Sequence, residues 1–217
     1  NYSPNCVVYT GTHDNNTTVG WFANRGEEER YQILAYLARD GHDIAWDLMR
    51  LALQRAKTAR EAIDVMTGLV EAHGYRGPGE SFSIADTEEA WILEMIGPGD
   101  GGEGAIWVAR RVPDGMISAH ANKARIGTFP AADPENCLYS DNVYSFAVEQ
   151  GYYDPESGEP FRFNEAYCPS TPENQRFASA RVWSLFRRAA PSMNLSPDYH
   201  RAVEGAEPYP LWIEPDE

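Results

Sequence analysis

The sequence predicts an α+β fold. Helical periodicity runs up to about residue 74, strand-like segments separated by turn signals follow over 80–119, and nowhere do strand and helix alternate as a parallel sheet requires. In chain order, Val7-Val8-Tyr9 reads as a short buried strand. The polar run Thr10-Gly11-Thr12-His13-Asp14 is the loop that follows it. A helix is expected over 27–39, where Tyr31, Leu34, Ala35 and Ala38 recur at helical spacing and Gly41 stops it. A second helix spans 44–56, with Leu48, Leu51, Ala52 and Arg55 along one side. Thr58-x-x-Glu61 has the form of a capping box, so a new helix starts there. Ala59, Ile63, Met66 and Val70 form its apolar face, and Gly74 is its C-terminal stop.

After Gly79 the period changes. Residues 82–84, 91–96, 105–112 and 116–119 are β-rich, separated by Asp86-Thr87-Glu88-Glu89, the Gly-rich stretch 97–104 and Pro113-Asp114-Gly115. Four strands on short turns predict an antiparallel meander. Helices are expected again over 140–150 and 174–188, with a Pro-rich end at Pro208-Tyr209-Pro210-Leu211-Trp212-Ile213.

The 217 residues carry 33 acidic against 18 basic side chains, a net charge of −15. Such a surface repels phosphate backbones, so nucleic acid is not an expected partner. No apolar run approaches the ~18 residues of a membrane span, and Asn1-Tyr2-Ser3-Pro4 has neither the basic start nor the apolar core of a signal peptide. Membrane association is therefore not expected, and the expected location is cytoplasmic. Cys6, Cys137 and Cys168 are too far apart for a zinc motif and read as buried thiols in a reducing compartment. No metal and no cofactor is expected. The stretch Gly97-Pro98-Gly99-Asp100-Gly101-Gly102 lacks the GK[ST] of a phosphate loop and links two strands instead. Asp86 is a candidate to orient substrate, with a turn Asp as the alternative reading.

Two stretches carry more specific chemistry. The run Tyr9-Thr10-Gly11-Thr12-His13-Asp14-Asn15-Asn16-Thr17-Thr18-Val19-Gly20-Trp21-Phe22 resembles 4-α-glucanotransferases of the amylomaltase type, glycoside hydrolase family 77. The resemblance covers residues 1–50 and implies a short strand–helix segment from a TIM barrel. It also implies α-glucans as partners. Retaining glycosidases need a nucleophile and an acid/base carboxylate. The resemblance implies that Asp14 is the further carboxylate that stabilises the transition state, and that His13 binds the sugar beside it. Asn16 stands where the family has Asp, and the family's nucleophile and acid/base are not in this chain.

Residues 51–217 resemble C69-family dipeptidases. The resemblance rests on Glu80-Ser81-Phe82-Ser83-Ile84-Ala85-Asp86, Trp107-Val108-Ala109-Arg110-Arg111, His120-Ala121-Asn122-x-Ala124-Arg125-Ile126, Asp133-Pro134-Glu135-Asn136-Cys137-Leu138-Tyr139-Ser140 and Ala180-Arg181-Val182-Trp183-Ser184-Leu185-Phe186. It implies part of an αββα sandwich with antiparallel strands, of the N-terminal-nucleophile hydrolase type, acting on short peptides. In such enzymes the free α-amino group of an N-terminal Cys serves as base for its own thiol. Asn122 is the candidate oxyanion donor, with a strand-end Asn as the other reading. The nucleophile is not among these residues, and Cys6 follows five others. Three readings stand: a C69-type dipeptidase lacking its nucleophile, a glucanotransferase fragment, and a chimeric chain without catalysis. The oligomeric state is not legible.

Overall fold

The computed structural model describes residues 44–75, 77–99 and 102–216. The expected strand at 7–9, the helix over 27–39, and His13, Asp14 and Cys6 lie outside them. Ile44–Arg55 forms α1 and Ala59–His73 forms α2. Thr58 caps α2 by accepting from the Glu61 backbone N–H at 3.2 Å. The box closes differently from the expected reciprocal form, because Glu61 accepts from the backbone N–H of Lys57 at 2.6 Å, one residue before the cap. At the other end Gly74 adopts φ 79° and donates to the Val70 carbonyl, a left-handed stop that a side chain would strain.

Four strands form one antiparallel sheet: Glu80–Ala85 (β1), Ala90–Ile96 (β2), Ile106–Arg111 (β3) and Cys137–Tyr139 (β5), in the order β1-β2-β3-β5. The α+β class is as expected, and the described residues close no barrel. The fourth strand of the expected meander is a correction. Residues 117–118 do form a strand, β4 (Ile117–Ser118), but it pairs with Trp212–Ile213 (β6) in a separate ribbon. Pro113 has no N–H to extend a ladder, Gly115 turns the chain at φ 80°, and β5 occupies the free edge of β3.

The sheet is covered on both faces, which explains the apolar run in β2. Side chains alternate across a strand. Trp91, Leu93 and Met95 face α1 and α2, where they pack with Leu48, Ala52, Ile63, Met66 and Val70. Ile92 faces the other way, joining Ile106, Val108, Ile126, Val143 and Phe163. Short helices cover that side, Ser145–Glu149 (α3) and Phe163–Tyr167 (α4), and a further turn of helix, Pro172–Asn174 (α5), follows them without burying a residue. The chain continues from α5 through a π-helical turn, Gln175–Ser179, into α6 (Ala180–Ala189). Val182, Phe186 and Ala190 pack with Ile213 as a third cluster. Among the described residues, no helix is long and apolar enough to cross a membrane. Gly97, after β2, has no alternative residue, since a Cβ there would lie 2.3 Å from the Tyr75 carbonyl oxygen.

Met66 is 1% exposed between α2 and the sheet, whereas Leu53 on α1 is 62% exposed. Met66→Ala should lower the unfolding free energy by about 2–5 kcal/mol. Leu53→Ala should change it by less than about 0.5 kcal/mol. Guanidinium denaturation midpoints measure both, and equal losses would contradict the packing of α2 on the sheet.

Candidate functional site

A loop over residues 119–126 leaves β4 and crosses the sheet face opposite α2. Its anchor is Glu94, the one acidic residue in the otherwise apolar β2. By strand alternation Glu94 shares the face of Ile92, and it is 1% exposed. Its carboxylate accepts from the backbone N–H of Arg125 at 2.7 Å and from that of Ile126 at 3.0 Å. Burial raises its pKa to about 7, although both amides and the Arg125 charge act in the opposite direction.

The loop's side chains reach outward from that anchor to several other parts of the chain. The Arg125 guanidinium donates to the carbonyls of Ala119, Tyr209 and Pro210 and lies 5.4 Å over the Phe186 ring. Burial lowers its pKa to about 10, against the pull of Glu94 and Tyr199, so it stays charged at neutral pH. His120 Nε2 lies 2.8 Å from Ser83 Oγ on β1. Burial, then the Arg125 charge, holds this imidazole below its ordinary pKa and hence neutral at pH 7. Lys123 reaches Ser170 and Tyr199.

Asn122 stands exposed in the left-handed region at φ 49°, which Asn tolerates better than most residues. Arg181 Nη2 of α6 lies 2.8 Å from its side-chain oxygen. Arginine only donates, so the oxygen must face Arg181 and the amide –NH2 is left as the outward donor. An oxyanion needs a group of that kind, held in that sense.

Asp86 sits apart from this loop, in the β1–β2 turn. Its carboxylate accepts from the backbone N–H groups of Ala59 at 2.8 Å, Glu88 at 2.7 Å and Glu89 at 2.9 Å. These bonds hold its pKa below the usual carboxylate range. The turn is thereby tied to the start of α2. Arg111 pairs with Glu89 and Asp114. Cys137 is 2% exposed, and burial pushes its thiol up to about 11. Sequence reasoning did not single out Glu94, Lys123, Ser170 or Tyr199. Glu94 had a legible signal: a lone acid at a core-facing position of an apolar strand is buried with a partner or is misplaced.

Fold and loop together define an α+β protein whose antiparallel sheet presents a rigid polar loop with a fixed amide donor. The chain belongs to peptidase family C69, whose family model matches residues 35–212. It is 30% identical to a probable dipeptidase of Salmonella dublin over 162 residues, 74% of this chain and 34% of that protein. It is 26% identical to a probable dipeptidase of Latilactobacillus sakei over 168 residues, 77% of this chain and 34% of that one. The chain thus spans about a third of the length of these curated relatives. A 54-residue stretch, 24% of the chain, is 54% identical to a 4-alpha-glucanotransferase of Synechocystis and covers 11% of it.

The raised pKa of Glu94 has a stability consequence with a definite sign. Between its unfolded value near 4.5 and its folded value near 7, the folded state binds more protons than the unfolded state. Its contribution is fully present below pH 4.5 and is lost as pH rises toward 7. Glu94→Gln should remove this decline from the stability–pH profile. Urea midpoints across pH 4.5–7.5 check it, and an unchanged slope would show that Glu94 does not titrate in that window.

Proposed function

We propose that residues 51–217 are the sheet-and-loop part of a cytoplasmic peptidase that hydrolyses short peptides. In this reading Asn122 donates its side-chain amide to the developing oxyanion, and the nucleophile lies outside the described residues. Asn122 carries the reading: it combines exposure, a left-handed backbone and an amide whose sense is fixed by Arg181. Membership of peptidase family C69 supports the reaction class, and relatives named probable dipeptidases support short peptides as substrates. A thiol at about 11 is a poor nucleophile at neutral pH, so Cys137 does not fill the missing role. Asp86, with its carboxylate held by three amides, orients substrate only indirectly, by fixing the β1–β2 turn.

A second reading applies to residues 1–50. The 54% identity to a 4-alpha-glucanotransferase favours it. There, Asp14 and His13 belong to an α-glucan site whose two catalytic carboxylates are not among residues 1–217. In this reading the two parts meet in α1. A chimeric chain without turnover is the outcome if neither part acts.

The purified chain should bind dipeptides without hydrolysing them. Addition of a dipeptide should shift the Asn122 side-chain amide resonances, Asn122→Ala should abolish binding, and maltotriose should leave residues 51–217 unmoved. No turnover should be detected, and Cys6→Ala should change nothing. Dipeptide turnover that is lost in Cys6→Ala, together with a mass lacking residues 1–5, would overturn the proposed lack of activity. An Asn122 amide unmoved at saturating dipeptide would overturn its assigned role.

A further inference from the structure

Lys123, Ser170 and Tyr199 form a closed polar triangle. Lys123 Nζ lies 2.6 Å from Ser170 Oγ and 3.1 Å from Tyr199 Oη, and the two hydroxyl oxygens are 3.1 Å apart. The three residues come from separate stretches, 47 and 76 positions apart for the two lysine contacts. Tyr199 and Lys123 are buried, at 8% and 7% exposure, while Ser170 is exposed. A hydroxyl open to solvent, backed by a buried ammonium and a buried phenol, is the layout of an activated nucleophile.

We propose that Ser170, Tyr199 and Lys123 form a second nucleophilic site, which takes acyl groups from small activated esters onto Ser170 Oγ. Tyr199 is the base and Lys123 the charge that favours its phenolate. Burial alone would raise the phenol's pKa. Hydrogen bonds with Ser170 and Lys123, and the ammonium charge, outweigh burial and hold it below the ordinary tyrosine value. The Lys123 ammonium also lies 5.4 Å from the Tyr199 ring centroid.

In the acylation step, Tyr199 Oη takes the Ser170 hydroxyl proton as Oγ bonds to the ester carbonyl carbon. The carbonyl electron pair moves onto its oxygen. When that pair returns, the bond to the leaving oxygen breaks, and the departing alkoxide recovers the proton from Tyr199. Water then repeats the sequence. It gives a proton to Tyr199 and adds to the acyl carbon, and Ser170 Oγ leaves and is reprotonated. One ester and one water become one acid and one alcohol. The chemistry uses no thiol and no α-amino group, so it is independent of the peptide-cleaving reading.

A fluorophosphonate and p-nitrophenyl acetate are suitable probes, applied to the whole chain after its thiols are blocked with iodoacetamide. Peptide mapping should find the phosphonate on Ser170 at least about tenfold faster than on exposed Ser157, whose hydroxyl instead donates to the Asp154 carbonyl. Ser170→Ala should remove both the label and p-nitrophenol release. Tyr199→Phe and Lys123→Met should each slow labelling about tenfold or more, with circular dichroism confirming the fold. Equal labelling of Ser170 and Ser157 in the unmodified sequence would overturn the site without reference to any variant. So would a folded Tyr199→Phe protein that reacts at the original rate.

Discussion

A carboxylate that is 1% exposed must either lose its charge or be met by donors, and Glu94 is held between these outcomes. Removing an ion from water costs several kcal/mol. Two backbone amides at 2.7 and 3.0 Å, at about 1.5–3 kcal/mol for each bond to a charged group, offset most of that cost. The remainder appears as a pKa near 7. Both donors belong to consecutive residues of one loop, so satisfying Glu94 fixes that loop's position on the sheet. Everything reached by residues 119–126 inherits this placement: the neutral His120 beside Ser83, the outward amide of Asn122, and Arg125 against the C-terminal segment.

That placement depends on strand register. In β2, Trp91, Leu93 and Met95 fill the helix-covered layer, while Ile92 and Glu94 point to the loop side. A slip of one residue would drive the carboxylate into the layer of Met66 and Val70, where no loop amides stand, and would turn Trp91 away from α2. Six paired residues on the β1 side and six on the β3 side hold the register. Arg125 then completes the structure in the other direction. Its contacts with the carbonyls of Tyr209 and Pro210 tie the loop to the end of the chain, beside the ribbon of β4 and β6.

How much of this was legible depended on how local each signal is. The face Ala59, Ile63, Met66 and Val70, the stop at Gly74 and the strands β1 to β3 follow from periodicity and turn residues within a few positions, and they stand as read. The pairing of β4 was not legible, because Ile117 meets Ile213 and no local pattern distinguishes that partner from β3. Asn122 was singled out through family likeness, whereas its usefulness as a donor depends on Arg181, a contact made only in three dimensions. Ser170 and Tyr199 are unremarkable in sequence, and only folding brings them to Lys123.

In the proposed peptidase reading, Asn122 and Cys137 meet opposite physical demands. An oxyanion donor needs only rigid placement, which the Glu94 anchor and Arg181 provide without reference to the rest of the protein. A thiol nucleophile needs ionisation, and burial at Cys137 moves in the opposite direction. At a pKa of about 11, only about one thiol in ten thousand is ionised at pH 7. An amphipathic helix such as α1 tolerates a junction, because the sheet requires of it only an apolar stripe, here Leu48 and Ala52. Two unrelated sequences that each supply such a stripe can meet within one helix without disturbing the core beneath it. The packing of α1 is for that reason compatible with either origin of residues 1–50, and only their chemistry distinguishes the two.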